Sequence, residues 1–142
     1  MDNRIFKCFL FLLVLCAGCA EQAYDGGEKS STEVAVIKNS YTGTGGLKSD
    51  RAEILAVDGD YFDGSSPGRV EVLPGRHSVV IRCRHGRLLV ENSVGVQGRQ
   101  GSVEFFAKAG REYKAFCSTS DGKFMKWITD LTTDEIVGGE NQ

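Results

Sequence analysis

The chain has 142 residues, of which 17 are basic and 19 acidic, and its formal net charge is −2. This size is typical of one small domain, and the near-neutral charge excludes the strongly basic surface of most nucleic-acid-binding proteins. We therefore expect a single folded domain with no nucleic-acid partner, and we assign it no cofactor.

The amino terminus has the pattern of an export signal. Arg4 and Lys7 precede the apolar run CFLFLLVLCA, which occupies residues 8–17. A positive segment, an apolar stretch of roughly 7–15 residues and small residues before a cleavage point describe a secretory signal peptide. The run is shorter than the roughly 20 residues that a membrane-spanning helix needs.

The sequence LCAGC, which ends at Cys19, resembles the lipobox of bacterial lipoproteins. The resemblance implies cleavage after Gly18 and lipid on Cys19, although Cys16 stands where that family usually has leucine. Two or more acyl chains would hold the protein stably on a membrane. The residues that follow, Ala20 and Glu21, are not the Asp that retains enteric lipoproteins in the inner membrane, so the resemblance implies the outer membrane, facing the periplasm.

Other interpretations of this region remain open. The segment is alternatively an ordinary signal peptide or an uncleaved anchor. Cys16 and Cys19 also match the C-x-x-C spacing of dithiol redox and metal sites, but no βαβ setting surrounds them.

Cleavage divides the chain into a signal peptide at 1–18, a lipidated tether at 19–32 and a folded domain at 33–142. The tether has one aromatic residue and no aliphatic residue larger than alanine, so it buries too little apolar area to offset its ordering entropy. A flexible tether of this length gives a typical separation of about 20 Å between the lipid and the domain.

The domain is predicted to be all-β. Glycine makes up 18 of 142 residues, well above the usual share of about 7 per cent, and it separates short runs of alternating apolar residues. We predict a single antiparallel β-sandwich with about 7–9 short strands. The candidate strands are 33–39, 52–59, 69–75, 76–84, 87–96, 102–110, 111–118, 124–130 and 135–139. The run 52–59 is also compatible with a short helix.

Residues 56–84 resemble a PEGA-type module. Asp58-Gly59, Ser66-Pro67 and Pro74-Gly75 occupy the places of the three turns of that repeat, but its opening Pro-x-Gly-Ala is missing. The resemblance implies a β-sandwich of the PEGA or immunoglobulin-like kind, which is carried on cell-surface proteins and has no catalytic residues. The segment that begins at Phe105 is also similar to small envelope lipoproteins.

Two cysteines, Cys83 and Cys117, remain once the signal peptide is removed and Cys19 is acylated. An even number of thiols in an oxidising compartment predicts a disulfide, which would close a loop of roughly 35 residues. Two buried free thiols are the alternative. The spacing and the lack of accompanying histidines argue against a metal site.

A candidate nucleophile lies in the sequence GSSPG, where Ser66 formally matches the nucleophile-elbow pattern G-x-S-x-G. A hydrolase would need His77 or His85 as its base. No helix is predicted after the serine, so a turn within a hairpin is the preferred interpretation.

The sequence VDGDYFDG suggests a calcium site, because Asp58, Asp60 and Asp63 lie close together. The spacing departs from that of an EF-hand loop, so an acidic surface turn is preferred.

The sequence RCRHGR gathers Arg82, Arg84, His85 and Arg87 near a predicted hairpin tip. Such a patch suits an anionic glycan, lipid headgroups or an acidic protein surface, whereas the plainer interpretation is a solvated sheet face. Tyr113, Phe124 and Trp127 are predicted first as core residues and second as contact residues.

Taken together, the sequence favours a membrane-anchored envelope lipoprotein that acts as a non-enzymatic interaction or structural module. Its expected partners are the membrane and an envelope protein or glycan. The alternatives are a small periplasmic hydrolase that uses Ser66 and a metal- or ligand-binding carrier that uses Asp58–Asp63.

Overall fold

A computed structural model of the protein describes residues 20–44, 48–86, 98–120 and 123–140. These residues form strands, turns and loops, with no helix among them. The strands are β1 (Glu21–Gln22), β2 (Ala35–Lys38), β3 (Ser40–Thr44), β4 (Lys48–Val57), β5 (Asp60–Tyr61), β6 (Arg69–Val72), β7 (Gly75–Gly86), β8 (Arg99–Ala107), β9 (Glu112–Ser120), β10 (Lys123–Asp130) and β11 (Glu135–Glu140).

The strands form two packed sheets, so the predicted β-sandwich is confirmed. Sheet A has the order β1-β6-β2-β9-β10-β11, and sheet B has the order β3-β4-β7-β8, with β5 paired to β4 beyond the end of β3. Two pairs in sheet A, β1 with β6 and β2 with β9, are parallel. The other pairs are antiparallel, as predicted.

Several element predictions can be compared directly with the structure. Within the run 52–59, residues 52–57 belong to β4 and residues 58 and 59 form a turn, so the helical alternative is wrong. The predicted strand 33–39 ends at Lys38, and the chain continues as β3 in the other sheet. The turn at Pro74 is not a hairpin between neighbouring strands, because β6 belongs to sheet A and β7 to sheet B. The predicted strand 87–96 lies outside the described residues.

The segment predicted as a tether makes ordered contacts. Glu21 and Gln22 pair with β6, and the Ala23 amide donates a hydrogen bond of 2.9 Å to the carbonyl oxygen of Glu71. Ala23 also packs against the core. Contacts with the domain therefore begin two residues after Cys19, well before the predicted start at residue 33.

The core lies between the sheets and follows the predicted alternation. On β7, His77, Val79, Ile81 and Cys83 are buried, whereas the residues between them are half-buried. Tyr113 is the largest fully buried side chain, and its hydroxyl accepts a hydrogen bond from the Lys108 amide. Burial raises the pKa of the Tyr113 phenol above its ordinary value, because the phenolate would lose its hydration.

A disulfide joins Cys83 of β7 to Cys117 of β9, as predicted. Both cysteines are buried in the core, so the bond links sheet B to sheet A through the middle of the sandwich. The two residues are 34 positions apart, which makes the closed loop long enough to restrict the unfolded chain substantially.

Reduction of this disulfide should lower the free energy of unfolding by about 3–4 kcal/mol in the chain-entropy picture. Urea titrations of the oxidised and reduced chain measure the difference, and the double variant Cys83→Ala/Cys117→Ala should match the reduced protein in being less stable. Equal unfolding midpoints for the oxidised and reduced chains would contradict this role.

The last described strand, β11, approaches β8 closely at Gly138 and the backbone of β10 closely at Gly139. A side chain at position 138 would collide with the backbone oxygen of Glu104 and lie 2.8 Å from the Cβ of Phe105. Gly139 adopts a φ of +79°, which residues with a side chain rarely adopt. The register of β11 also shifts beside Ile128, and such a bulge bends a strand. The missing side chain at Gly138 lets β11 pack against β8, at the edge of sheet B.

Gly138→Ala should therefore destabilise the fold by about 1–3 kcal/mol, the usual cost of forcing a methyl group into filled space. Gly68→Ala is the matched control, since a methyl group at Gly68 meets nothing within 4 Å. Chemical denaturation of both variants tests the packing, and equal stability of the two would show that β11 does not approach β8 as described.

Candidate functional site

Ser66, the candidate nucleophile, is held in a structural hydrogen-bond network. Its hydroxyl donates to the carbonyl oxygen of Ile54 at 2.7 Å and accepts from the Asn39 amide at 3.0 Å. Asn39 also donates to the carbonyl oxygen of Pro67 and accepts from the Ile54 amide, both at 2.9 Å. The serine therefore links three chain segments.

This network fills a gap in sheet B. Along β4, the pairing with β3 ends at Ala52 and the pairing with β5 begins at Ala56, so none of the described strands pairs with Ile54 on that side. The side chains of Asn39 and Ser66 supply the hydrogen bonds that a strand would have made. Sequence reasoning missed Asn39, because its role follows from the change of sheet between β2 and β3.

His77 is also engaged. Its Nδ1 lies 2.6 Å from Oδ2 of Asp58, and its Nε2 lies 2.6 Å from the carbonyl oxygen of Leu73. A carbonyl oxygen only accepts, so Nε2 is the donor of that bond. Among the described contacts the ring bonds to neither Ser66 nor its partners, and it joins the β4–β5 turn to the corner that precedes β7.

The acidic turn also stabilises the corner that precedes β7, through Asp58. Asp58 and Gly59 both have positive φ and connect β4 to β5, as an Asp-Gly hairpin turn does. The second carboxylate oxygen of Asp58 accepts the Ser78 amide at 2.8 Å. Within the described ranges, no group of three or more His, Cys, Asp or Glu side chains is placed to hold a metal ion.

The most distinctive charged site is an arginine cluster around the buried Glu53, which we call the arginine face. Arg82 contacts Oε2 of Glu53 through Nε at 3.0 Å and Nη2 at 2.7 Å, and Arg84 contacts the same oxygen through Nε at 2.9 Å. The Nε of Arg51 lies 3.4 Å from Oε1 of Glu53. Three guanidinium groups thus share one carboxylate, which leaves a positive excess.

The strand register explains this arrangement. Glu53 lies opposite Arg82, and Arg51 lies opposite Arg84, where β4 pairs with β7. Glu53 has only 7% of its side chain exposed, whereas Arg51 and Arg84 have 60% and 53% exposed. The carboxylate therefore fixes the base of the cluster while the outer guanidinium groups face solvent.

The structure brings together only part of the predicted basic patch. Arg82 and Arg84 lie on the arginine face, and His85 follows on β7 opposite Asp50. Arg87 lies outside the described residues. The sequence alone did not identify Arg51 and Glu53. They alternate along β4, but only the pairing of β4 with β7 places them beside Arg82 and Arg84.

Of the three aromatic residues singled out, Tyr113 is in the core and Phe124 packs against it. Trp127 lies on the outer face of sheet A, where it stacks on Phe116 with ring centroids 5.6 Å apart. On the arginine face itself, Tyr41 is exposed and lies opposite Arg51. An aromatic ring beside guanidinium groups adds contact area to a cationic surface.

No protein family, curated protein or solved structure compared with the chain matches it. Within the part of the chain that the structure describes, no helix is long and apolar enough to cross a membrane.

Ser66→Ala should lower the free energy of unfolding by about 1–3 kcal/mol, because the carbonyl oxygen of buried Ile54 would lose its partner. Ser65→Ala is the matched control, since Ser65 is the neighbouring residue and is exposed. Urea titration compares the two variants. A Ser66→Ala variant that is as stable as the control but loses an esterase activity of the wild type would contradict the structural role.

Proposed function

We propose that this protein is a lipid-anchored lipoprotein of the bacterial envelope that acts as a non-enzymatic interaction module. Cys19 carries the lipid, the sandwich provides a rigid frame, and the arginine face binds anionic groups of an envelope glycan or protein. The lipid is inserted in the outer membrane, and the domain faces the periplasm.

The observation that carries the proposal is the arginine face. Each guanidinium has donors beyond those that contact Glu53, and planar guanidinium groups suit carboxylate and phosphate groups. Arg82 donates from both Nε and Nη2 to Oε2 of Glu53, so the carboxylate keeps the cluster in place while Arg51 and Arg84 extend from it. The mature chain has 15 basic and 18 acidic residues, so this positive excess is local.

Two engaged side chains also favour a binding role over hydrolysis. Ser66 and His77 each have short hydrogen bonds to backbone carbonyl oxygens, which hold them in separate structural networks. The PEGA resemblance and the disulfide between Cys83 and Cys117 are consistent with an exported module.

The anchor is tested in the cells that make the protein. Wild type should fractionate with membranes and incorporate labelled fatty acid, because acyl chains on Cys19 partition into the bilayer. Cys19→Ser should lose both properties. A Cys19→Ser variant that keeps its label and its membrane association would contradict lipidation at this residue.

The arginine face is tested with heparin as a soluble anionic glycan. Arg51→Gln/Arg84→Gln should elute from immobilised heparin at lower salt than wild type, because it removes the two exposed guanidinium groups. The matched control is Arg76→Gln/Lys108→Gln, which removes two exposed positive charges elsewhere. Identical elution of the two variants would show that the retention reflects net charge alone and would overturn the assignment.

A further inference from the structure

The distance between Cys19 and the first strand restricts how the domain can lie relative to a membrane. β1 begins at Glu21, so only Ala20 separates it from the cysteine. Two residues span at most about 7 Å. The separation of about 20 Å expected for a flexible tether is therefore too large.

The contacts of β1 make this short link effective. Glu21 and Gln22 pair with Val70 and Glu71 of β6, and Gln22 also donates a side-chain hydrogen bond of 3.0 Å to the Tyr24 hydroxyl. Ala23 continues the attachment through its amide and its packing on the core. The segment that follows Cys19 thus belongs to the edge of sheet A.

One edge of sheet B, where β5 lies, is on the same side of the sandwich as β1. β5 flanks β4 on the side away from β7, and the chain passes from β5 through residues 62–68 to β6, beside β1. The opposite side is formed by β8, which packs near β10 and β11. Tyr61 of β5 and Phe106 of β8 are exposed to nearly the same extent, 63% and 61%, at opposite edges.

We propose that the β1–β5 edge of the sandwich rests on the membrane in which the lipid of Cys19 is inserted. This inference depends on the lipidation assigned above. With a link of about 7 Å, the edge lies at the level of the lipid headgroups, where the amphipathic ring of tyrosine is favoured. Tyr61 then contacts the headgroups, and Phe106 faces away.

The chemistry of the edge indicates which lipids it contacts. Asp60 and Asp63 are exposed beside Tyr61, and Glu21 is exposed on β1. These carboxylates oppose binding to anionic headgroups. The contact is therefore with the neutral headgroups of the bilayer, and it leaves the arginine face on the side of the sandwich, free for another partner.

The test uses the full lipidated chain in phosphatidylcholine vesicles that contain phosphatidylcholine spin-labelled on the headgroup. Trp127→Phe removes the native tryptophan, and Tyr61→Trp or Phe106→Trp then supplies a single reporter. Because the two edges of sheet B are about 14 Å apart, quenching of Trp at position 61 should exceed that at position 106 by about twofold or more. Circular dichroism shows whether each variant folds.

A linker variant provides the second arm. Twelve glycine and serine residues inserted between Ala20 and Glu21 keep the cleavage region intact but separate the domain from its anchor. Quenching at position 61 should then fall to the level at position 106.

The outcomes separate the two claims. Equal quenching at the two positions, or quenching at 61 that survives the linker, would overturn the membrane contact when mass analysis shows lipid on Cys19. A chain without lipid on Cys19 would overturn the proposed anchor itself, and with it this inference.

Discussion

The change of sheet at Asn39 is the constraint on which the architecture depends. One residue separates β2 in sheet A from β3 in sheet B, so the two sheets must approach closely at this point. The Asn39 side chain bonds to the Ile54 amide, Ser66 and Pro67 there. A hydrogen-bond network that is fully satisfied inside a sandwich fixes one arrangement of its segments, since each unpaired group would be costly.

Other contacts between the sheets follow from this arrangement. The disulfide holds β7 against β9, and Gly138 of β11 allows the far edge of sheet A to pack closely against β8. His77 and Asp58 fix the corner through which the chain enters β7. The two sheets are therefore linked at several separate places, and the arginine face lies on β4 and β7, the central strands of sheet B. A binding surface on strands is held more accurately than one on loops.

Sequence patterns predicted much of the fold because alternation reports directly on a two-sided strand. The buried residues of β7, from His77 to Cys83, follow the predicted face, and the cysteine pair was predicted from the even number of thiols. The pairing of strands was harder to foresee. Glu53 and its arginines are distant in sequence, and only the register of β4 with β7 brings them together. Likewise, β1 has only two residues, and its position is set by its pairing with β6, which is distant in sequence.

The two motifs that suggested chemistry in the sequence, GSSPG and the acidic turn, have structural roles that depend on contacts with distant segments. GSSPG matches a catalytic pattern in sequence, but the serine hydroxyl completes the backbone hydrogen bonding of Ile54. The acidic turn likewise provides a partner for His77. Both motifs contain polar groups that a change of direction in the chain requires, and such groups resemble functional sites when only the sequence is known.

We propose that the working molecule is an oxidised sandwich attached to a membrane through Cys19. The intact mass of the protein extracted from the membranes of its own cells tests this most directly. We expect a chain that begins at Cys19, carries acyl groups, and is two hydrogens lighter than its reduced form because of the Cys83–Cys117 bond. A chain that retains residues 1–18, or one that begins at Cys19 without lipid, would contradict it.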